Sequence, residues 1–134
     1  MDDVLAYCEE QDYVVEKICL YHLSKEAREE TLAFCKNFDA SLVFAEETSL
    51  ELTHPLADKG LGLKWLSDYL GLSLSECIAV GDSFNDESIL KVAGLSVSMG
   101  NGKSEIKSLC DEIVCDNDHG GVAMAIHKFL LGRS

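Results

Sequence analysis

Between Cys77 and Ser88 the chain reads CIAVGDSFNDES, and Asp82, Asn85 and Asp86 crowd into the few residues after Gly81. Two carboxylates in one short loop repel, and without screening that repulsion would push a proton onto one of them. A hard divalent cation removes the conflict. Mg²⁺ takes one or two carboxylates together with waters and phosphate oxygens, so the turn after the strand is expected to hold a Mg²⁺ ion. A plainer use exists for the same residues: Asp86 or Asn85 caps a following helix and Asp82 is solvated. The order strand, glycine, Asp, two residues, Asn, Asp, helix favours the first use. It sets the acids at the carboxyl end of a strand, where ligands of open parallel sheets collect.

The elements needed to hold that loop can be read on both sides of it. LGLKWLSDYLG reads as a helix with Leu63, Leu66 and Leu70 on one stripe and Gly71 as its stop. Cys77 to Val80 is a strand, NDESILKVAG a helix closed by Gly94, LSVSM a strand, KSEIKSLC a helix and EIVC a short strand. HGGVAMAIHKFLLG is a closing helix that groups Val122, Ile126, Phe129 and Leu130. Short apolar strands alternating with amphipathic helices predict an α/β fold, a Rossmann-like parallel sheet with helices on both faces.

Upstream of Pro55, the only proline, the pattern differs. VVEKICLYH, residues 14 to 22, reads as a strand, and Ser24 as the N-cap of a helix with Ala27, Leu32 and Cys35 on its apolar side. SLVFAEE and SLELT read as two short strands joined by the acidic turn Glu46-Glu47-Thr48. The expected organisation is an α+β unit over residues 1–54 and an α/β unit over 55–134.

A net charge of −13 and the lack of any Lys/Arg cluster argue against a nucleic-acid partner. No run of about 18 apolar residues spans a membrane, and the start MDDVLAYCEE lacks the pattern of a signal peptide. A soluble, cytoplasmic protein is the expectation. The six cysteines (8, 19, 35, 77, 110, 115) form no CxxC pair and are expected as reduced, buried, passive thiols. GNGKS, from Gly100 to Ser104, lacks the earlier glycine of a P-loop, since Val97 holds that place, so Asn101 and Gly102 read as an ordinary helix start. DNDHGG, from Asp116 to Gly121, has His127 where a calcium loop has its Glu and reads as a turn.

VGDSFNDESILKVAG resembles the last motif of the haloacid-dehalogenase superfamily of phosphohydrolases in its Cof-type form. LELTHPLADKG resembles the segment that delivers that family's phosphate-binding lysine, here Lys59, and residues 95 to 130 resemble the rest of its C-terminal core. Residues from about 14 to 54 are similar to the end of its cap domain. The resemblance implies a Mg²⁺-dependent phosphatase acting on a small phosphorylated metabolite such as a sugar phosphate. It assigns Asp82 to the metal, Asp86 to the metal directly or through water, and Lys59 and Asn85 to the phosphoryl oxygens. It also lays the Asp116–Gly121 turn near the site, with a weak role for Asn117 or Asp118. An aspartate nucleophile forms an aspartyl-phosphate in that chemistry.

The family's N-terminal strand with its Asp-x-Asp signature is not matched, because Met1-Asp2-Asp3-Val4 has no apolar strand before it and the wrong spacing. The chain is therefore expected to be the C-terminal part of a longer enzyme and inactive alone. A non-catalytic binding remnant and a phosphomutase relative are the alternatives. A sheet lacking a neighbouring strand is expected to leave an open edge, with dimerisation or pairing with a missing N-terminal half as the consequence.

Overall fold

The computed structural model describes residues 4–44 and 46–132, so the Met1-Asp2-Asp3 stretch lies outside the described residues. The chain divides into two compact units, Met1–Pro55 and Leu56–Ser134. Among the described residues no helix is long and apolar enough to cross a membrane.

The first unit contains helix α1 (Val4–Glu10), strand β1 (Lys17–Tyr21), helix α2 (Lys25–Cys35), and strands β2 (Ser41–Val43) and β3 (Ser49–Thr53). β3 is central, antiparallel to both neighbours, with Leu20 opposite Leu50 and Leu42 opposite Leu52. β1 is shorter than the 14–22 run suggests. Its pairing ends at Lys17 opposite Thr53, where β3 itself stops, so Val14 and Val15 have no partner strand and are exposed. Ser24 caps α2 by accepting from the Ala27 amide at 3.2 Å. The helix buries Cys35 as expected but also Arg28, whose guanidinium lies 4.2 Å from the Phe44 ring centroid and donates to the Glu47 carbonyl. The cysteines are all free, yet only Cys35 is buried. Cys19 is exposed, because β1 turns that face to solvent.

The second unit contains α3 (Lys59–Leu70), β4 (Ile78–Gly81), α4 (Glu87–Val92), β5 (Leu95–Ser98), α5 (Ser104–Leu109), β6 (Glu112–Ile113) and α6 (Gly121–Ala125). Short 3₁₀ turns span Leu74–Glu76 and Phe84–Asp86, and a π-helical turn, Ile126–Leu130, prolongs α6. The sheet is parallel in the order β4-β5-β6. Ala79, Leu90 and Ile106 pack on one face, and Val97, Met99, Val114 and Ala125 on the other, with Ile78, Val80 and Phe129 against the second cluster. This is the α/β sheet, covered on both faces, that the alternation downstream of Pro55 predicts. Ser96 is tolerated inside β5 because its hydroxyl donates to Asp111 Oδ2 at 2.7 Å and its amide to the same oxygen at 2.9 Å. Those two bonds, hydroxyl first, hold the Asp111 carboxyl below its usual range.

Both predicted helix stripes are corrected in part: Leu63 is half-buried and Phe129 packs on the core, but their companions are exposed. In α3 the buried residues are Gly60 and Ser67, while Leu66 and Leu70 are more than half exposed. The cause is close approach to α4, where the Gly60 amide donates to Ser88 Oγ at 3.2 Å and leaves no room for leucines. In the closing helix Gly121 and Ala125 are buried and Phe129 packs against the core, whereas Val122 is exposed and Ile126 and Leu130, also exposed, line a groove with Ile78 and Val80. Again the small residues mark the tight contact. Gly71, in the left-handed conformation (φ 68°), ends α3 as expected.

β4 forms one edge of its sheet. The Leu95 amide donates to the Cys77 carbonyl and the Met99 amide to that of Gly81, so the odd-numbered residues of β4 face β5. Backbone polarity alternates along a parallel strand, which turns the peptide groups of Ile78 and Val80 to the outer edge. Beside that edge lies a groove of about 210 Å³ lined by Glu76, Ile78, Val80, Ala125, Ile126 and Leu130. Edges of this kind template further pairing. The isolated chain is expected to self-associate, seen by light scattering as a mass of at least twice 14.7 kDa; a monodisperse monomer contradicts this.

Candidate functional site at the tip of β4

The site is built from the turn that leaves β4. Asp86 closes the 3₁₀ turn and folds its carboxylate back over the strand end, where Oδ2 accepts from the amides of Asp82 (3.0 Å) and Ser83 (3.4 Å). Gly81 makes this possible, since a Cβ there would lie 2.6 Å from the Asp86 Cβ. Asp86 Oδ1 accepts from Lys59 Nζ at 2.5 Å. Lys59 is the first residue of α3, set there by its N-cap Asp58, which accepts from the Leu61 amide at 2.9 Å. Burial pushes the Asp86 carboxyl up, but the Lys59 ammonium and the two amides outweigh it and hold the group below its ordinary range.

Asp82 has the opposite environment. Its carboxylate is exposed, with Oδ2 accepting from Asn101 Nδ2 at 3.2 Å and Oδ1 meeting no donor among the described residues. Its carbonyl accepts from the Lys103 amide at 3.0 Å. The half-buried Asn85 lies on the turn between the two acids. Thus Lys59, Asp82 and Asp86 share one hydrogen-bonded network, with the Asp86 carboxylate tying the lysine to the backbone of Asp82. Both oxygens of Asp86 already accept hydrogen bonds, Oδ1 from Lys59 and Oδ2 from the two backbone amides.

Sequence reasoning passed over the next strand tip. Asn101, read as a plain helix start, reaches Asp82 with its Nδ2 and accepts from the Asn117 amide with Oδ1 at 3.1 Å. Gly102 lets that loop close in, since a Cβ would stand 2.7 Å from Ser98 Oγ and 3.4 Å from the Asp82 Cα. Lys103 lays its ammonium 4.5 Å from the Phe84 ring centroid. The available signal was positional: Gly-Asn-Gly follows β5 as Gly-Asp follows β4, and neighbouring tips of a parallel sheet converge.

Among the described residues no three His, Cys, Asp or Glu side chains gather into a metal-binding group. That excludes a closed cage of the zinc type within them. One exposed carboxylate among hard oxygen and amide groups fits a cation that keeps most of its waters, as Mg²⁺ does.

The model of the haloacid dehalogenase-like hydrolase family matches residues 4–126. The chain is 46% identical over 92 residues to the phosphatase YwpJ of Bacillus subtilis, covering 69% of this chain and 32% of that protein. It is 34% identical over 119 residues to the phosphoglycolate phosphatase of Methanobrevibacter smithii, covering 88% of this chain and 50% of the relative. A solved haloacid dehalogenase-like hydrolase from B. subtilis superposes with a TM-score of 0.79 at 39% identity, over 86% of this chain and 40% of that one. The chain therefore spans between a third and a half of the length of these relatives.

Proposed function

We propose a phosphomonoester hydrolase site from one premise: the chain belongs to the haloacid dehalogenase-like hydrolase family. The reading is a Mg²⁺-dependent, Cof-type phosphatase acting on a small phosphorylated metabolite, with the first unit as the end of a cap domain and the second as part of the catalytic core. The observation that carries it is the ammonium of Lys59 joined through Asp86 to the turn that presents the exposed Asp82 carboxylate. A cation and an amine on one turn are what a dianionic phosphoryl group requires, because phosphoryl transfer is catalysed mainly by positioning and charge stabilisation.

Asp82 would hold the Mg²⁺, with Asp86 supporting it directly or through water. The ion, when bound, neutralises charge on the phosphoryl oxygens. Lys59 holds one of those oxygens and Asn85 another. Asp86 keeps the lysine from swinging into solvent. The aspartate nucleophile is placed in a segment joined to this chain in the complete enzyme, so the chain by itself does not turn over.

The test is a chimera in which the part of YwpJ not covered by this chain is fused to it. Hydrolysis of a panel of sugar phosphates and phosphoglycolate, lost on removing Mg²⁺ with EDTA and restored by MgCl₂, is the expected result. A folded chimera with no metal-dependent release of phosphate from any of them sinks the reading.

A further inference from the structure

Three neighbouring strand tips are joined by one side chain. Asp82 follows β4, Asn101 follows β5, and Asn117 comes after β6; the Asn101 amide donates to the first and accepts from the third. The Lys103 amide and the close fit of Gly102 fasten the β5–α5 loop to the backbone of Asp82 as well, so the Asn101 side chain stands on a fixed platform. Apart from Asn101, the Asp82 carboxylate has no side-chain restraint among the described residues, in contrast to Asp86 with its three donors.

We propose that Asn101 is a positioning residue that holds the Asp82 carboxylate in its cation-binding rotamer and couples it to the Asp116–Gly121 turn. This rests on reading Asp82 as the ligand of a divalent cation. An exposed carboxylate on an open turn samples several staggered rotamers, and a cation has to select one of them. A donor placed on one oxygen makes that selection beforehand and leaves the other oxygen turned outward. Groups that orient metal ligands in this way change affinity by about 10–100-fold when removed. The Asn117 contact gives Asn101 its own orientation, because an amide accepting from a fixed backbone N–H must direct its NH₂ the opposite way.

The experiment is solution NMR on the isotopically labelled chain and two variants, Asn101→Ala and Asn101→Asp. The second keeps the oxygen that accepts from Asn117 but sets a carboxylate oxygen against Asp82 in place of the donor. It thus breaks the proposed tie and adds like-charge repulsion, whereas Asn101→Ala removes the tie without adding charge. Without metal, side-chain couplings are expected to report one dominant χ1 rotamer for Asp82 in the wild type and averaging in both variants. On titration with MgCl₂ alone, followed at the Asp82 carboxyl carbon, Asn101→Ala is expected to bind about 10–100-fold more weakly. An Asp82 rotamer unchanged in both variants overturns the proposal, as does an unchanged Mg²⁺ affinity in Asn101→Ala. A wild-type carboxyl carbon that ignores MgCl₂ overturns the cation reading beneath it, and the rotamer measurement then decides the tie by itself.

Discussion

Asp82→Ala in the YwpJ chimera lowers Mg²⁺-dependent phosphate release by at least about 10³-fold while the melting temperature stays within a few degrees of the parent. The two halves of this result have separate causes. Activity falls because the substitution deletes the carboxylate proposed to hold the cation, and charge stabilisation is the main source of rate in phosphoryl transfer. Stability persists because Asp82 is exposed and its side chain makes one hydrogen bond, from Asn101, worth about 1 kcal/mol net. Initial rates across a MgCl₂ series, together with thermal melts, make the measurement. Retention of more than a tenth of the parental rate removes Asp82 from the metal.

Asp86→Ala has a different signature, loss of activity together with loss of stability. Its carboxylate receives the Lys59 ammonium and two backbone amides in a largely buried position. Removing it strands those donors at a cost of about 2–3 kcal/mol. Activity drops as well, because Lys59 loses the contact that holds it beside the turn. The pH dependence follows from the lowered carboxyl of Asp86. A carboxylate held below its unfolded value contributes stability that is fully present above that value, about pH 4, and is lost as pH falls through the folded pKa. Asp86→Asn, which keeps the shape and removes the charge, therefore flattens the acid limb of the stability curve below about pH 4 and leaves the slope near neutrality unchanged. Urea midpoints from pH 2 to 7 for the two proteins show this; coincident acid limbs would remove Asp86 from any charged role.

Much of the fold was legible before any coordinates. The Ser24 cap, the Gly71 stop and the alternation after Pro55 are local signals, carried by residues a few positions apart, and the elements they predict are present. The errors have a common origin. Leu63, Leu66 and Leu70, and likewise Val122, Ile126, Phe129 and Leu130, were grouped as stripes because they are the large apolar residues. Leu63 is half-buried and Phe129 packs on the core, but Leu66, Leu70 and Val122 are exposed. The helices instead turn Gly60 with Ser67, and Gly121 with Ala125, toward their neighbours. How closely two elements approach is decided by the neighbour, and a periodicity read along one segment contains no information about it. Val14 and Val15 fell out of β1 for the same kind of reason, since the length of a strand is set by its partner.

By itself, then, the sequence determined the class of fold, the place of Asp82, Asn85 and Asp86 after an apolar strand, and the family motif that singles out Lys59. The tertiary structure decided what each of those charges faces. It gave Asp86 to Lys59 and the backbone, left Asp82 outward with one oxygen on Asn101, and drew Asn101 and Asn117 in from two further strand tips. Hydrogen bonds between residues 16 to 27 positions apart exist only once the strands lie side by side.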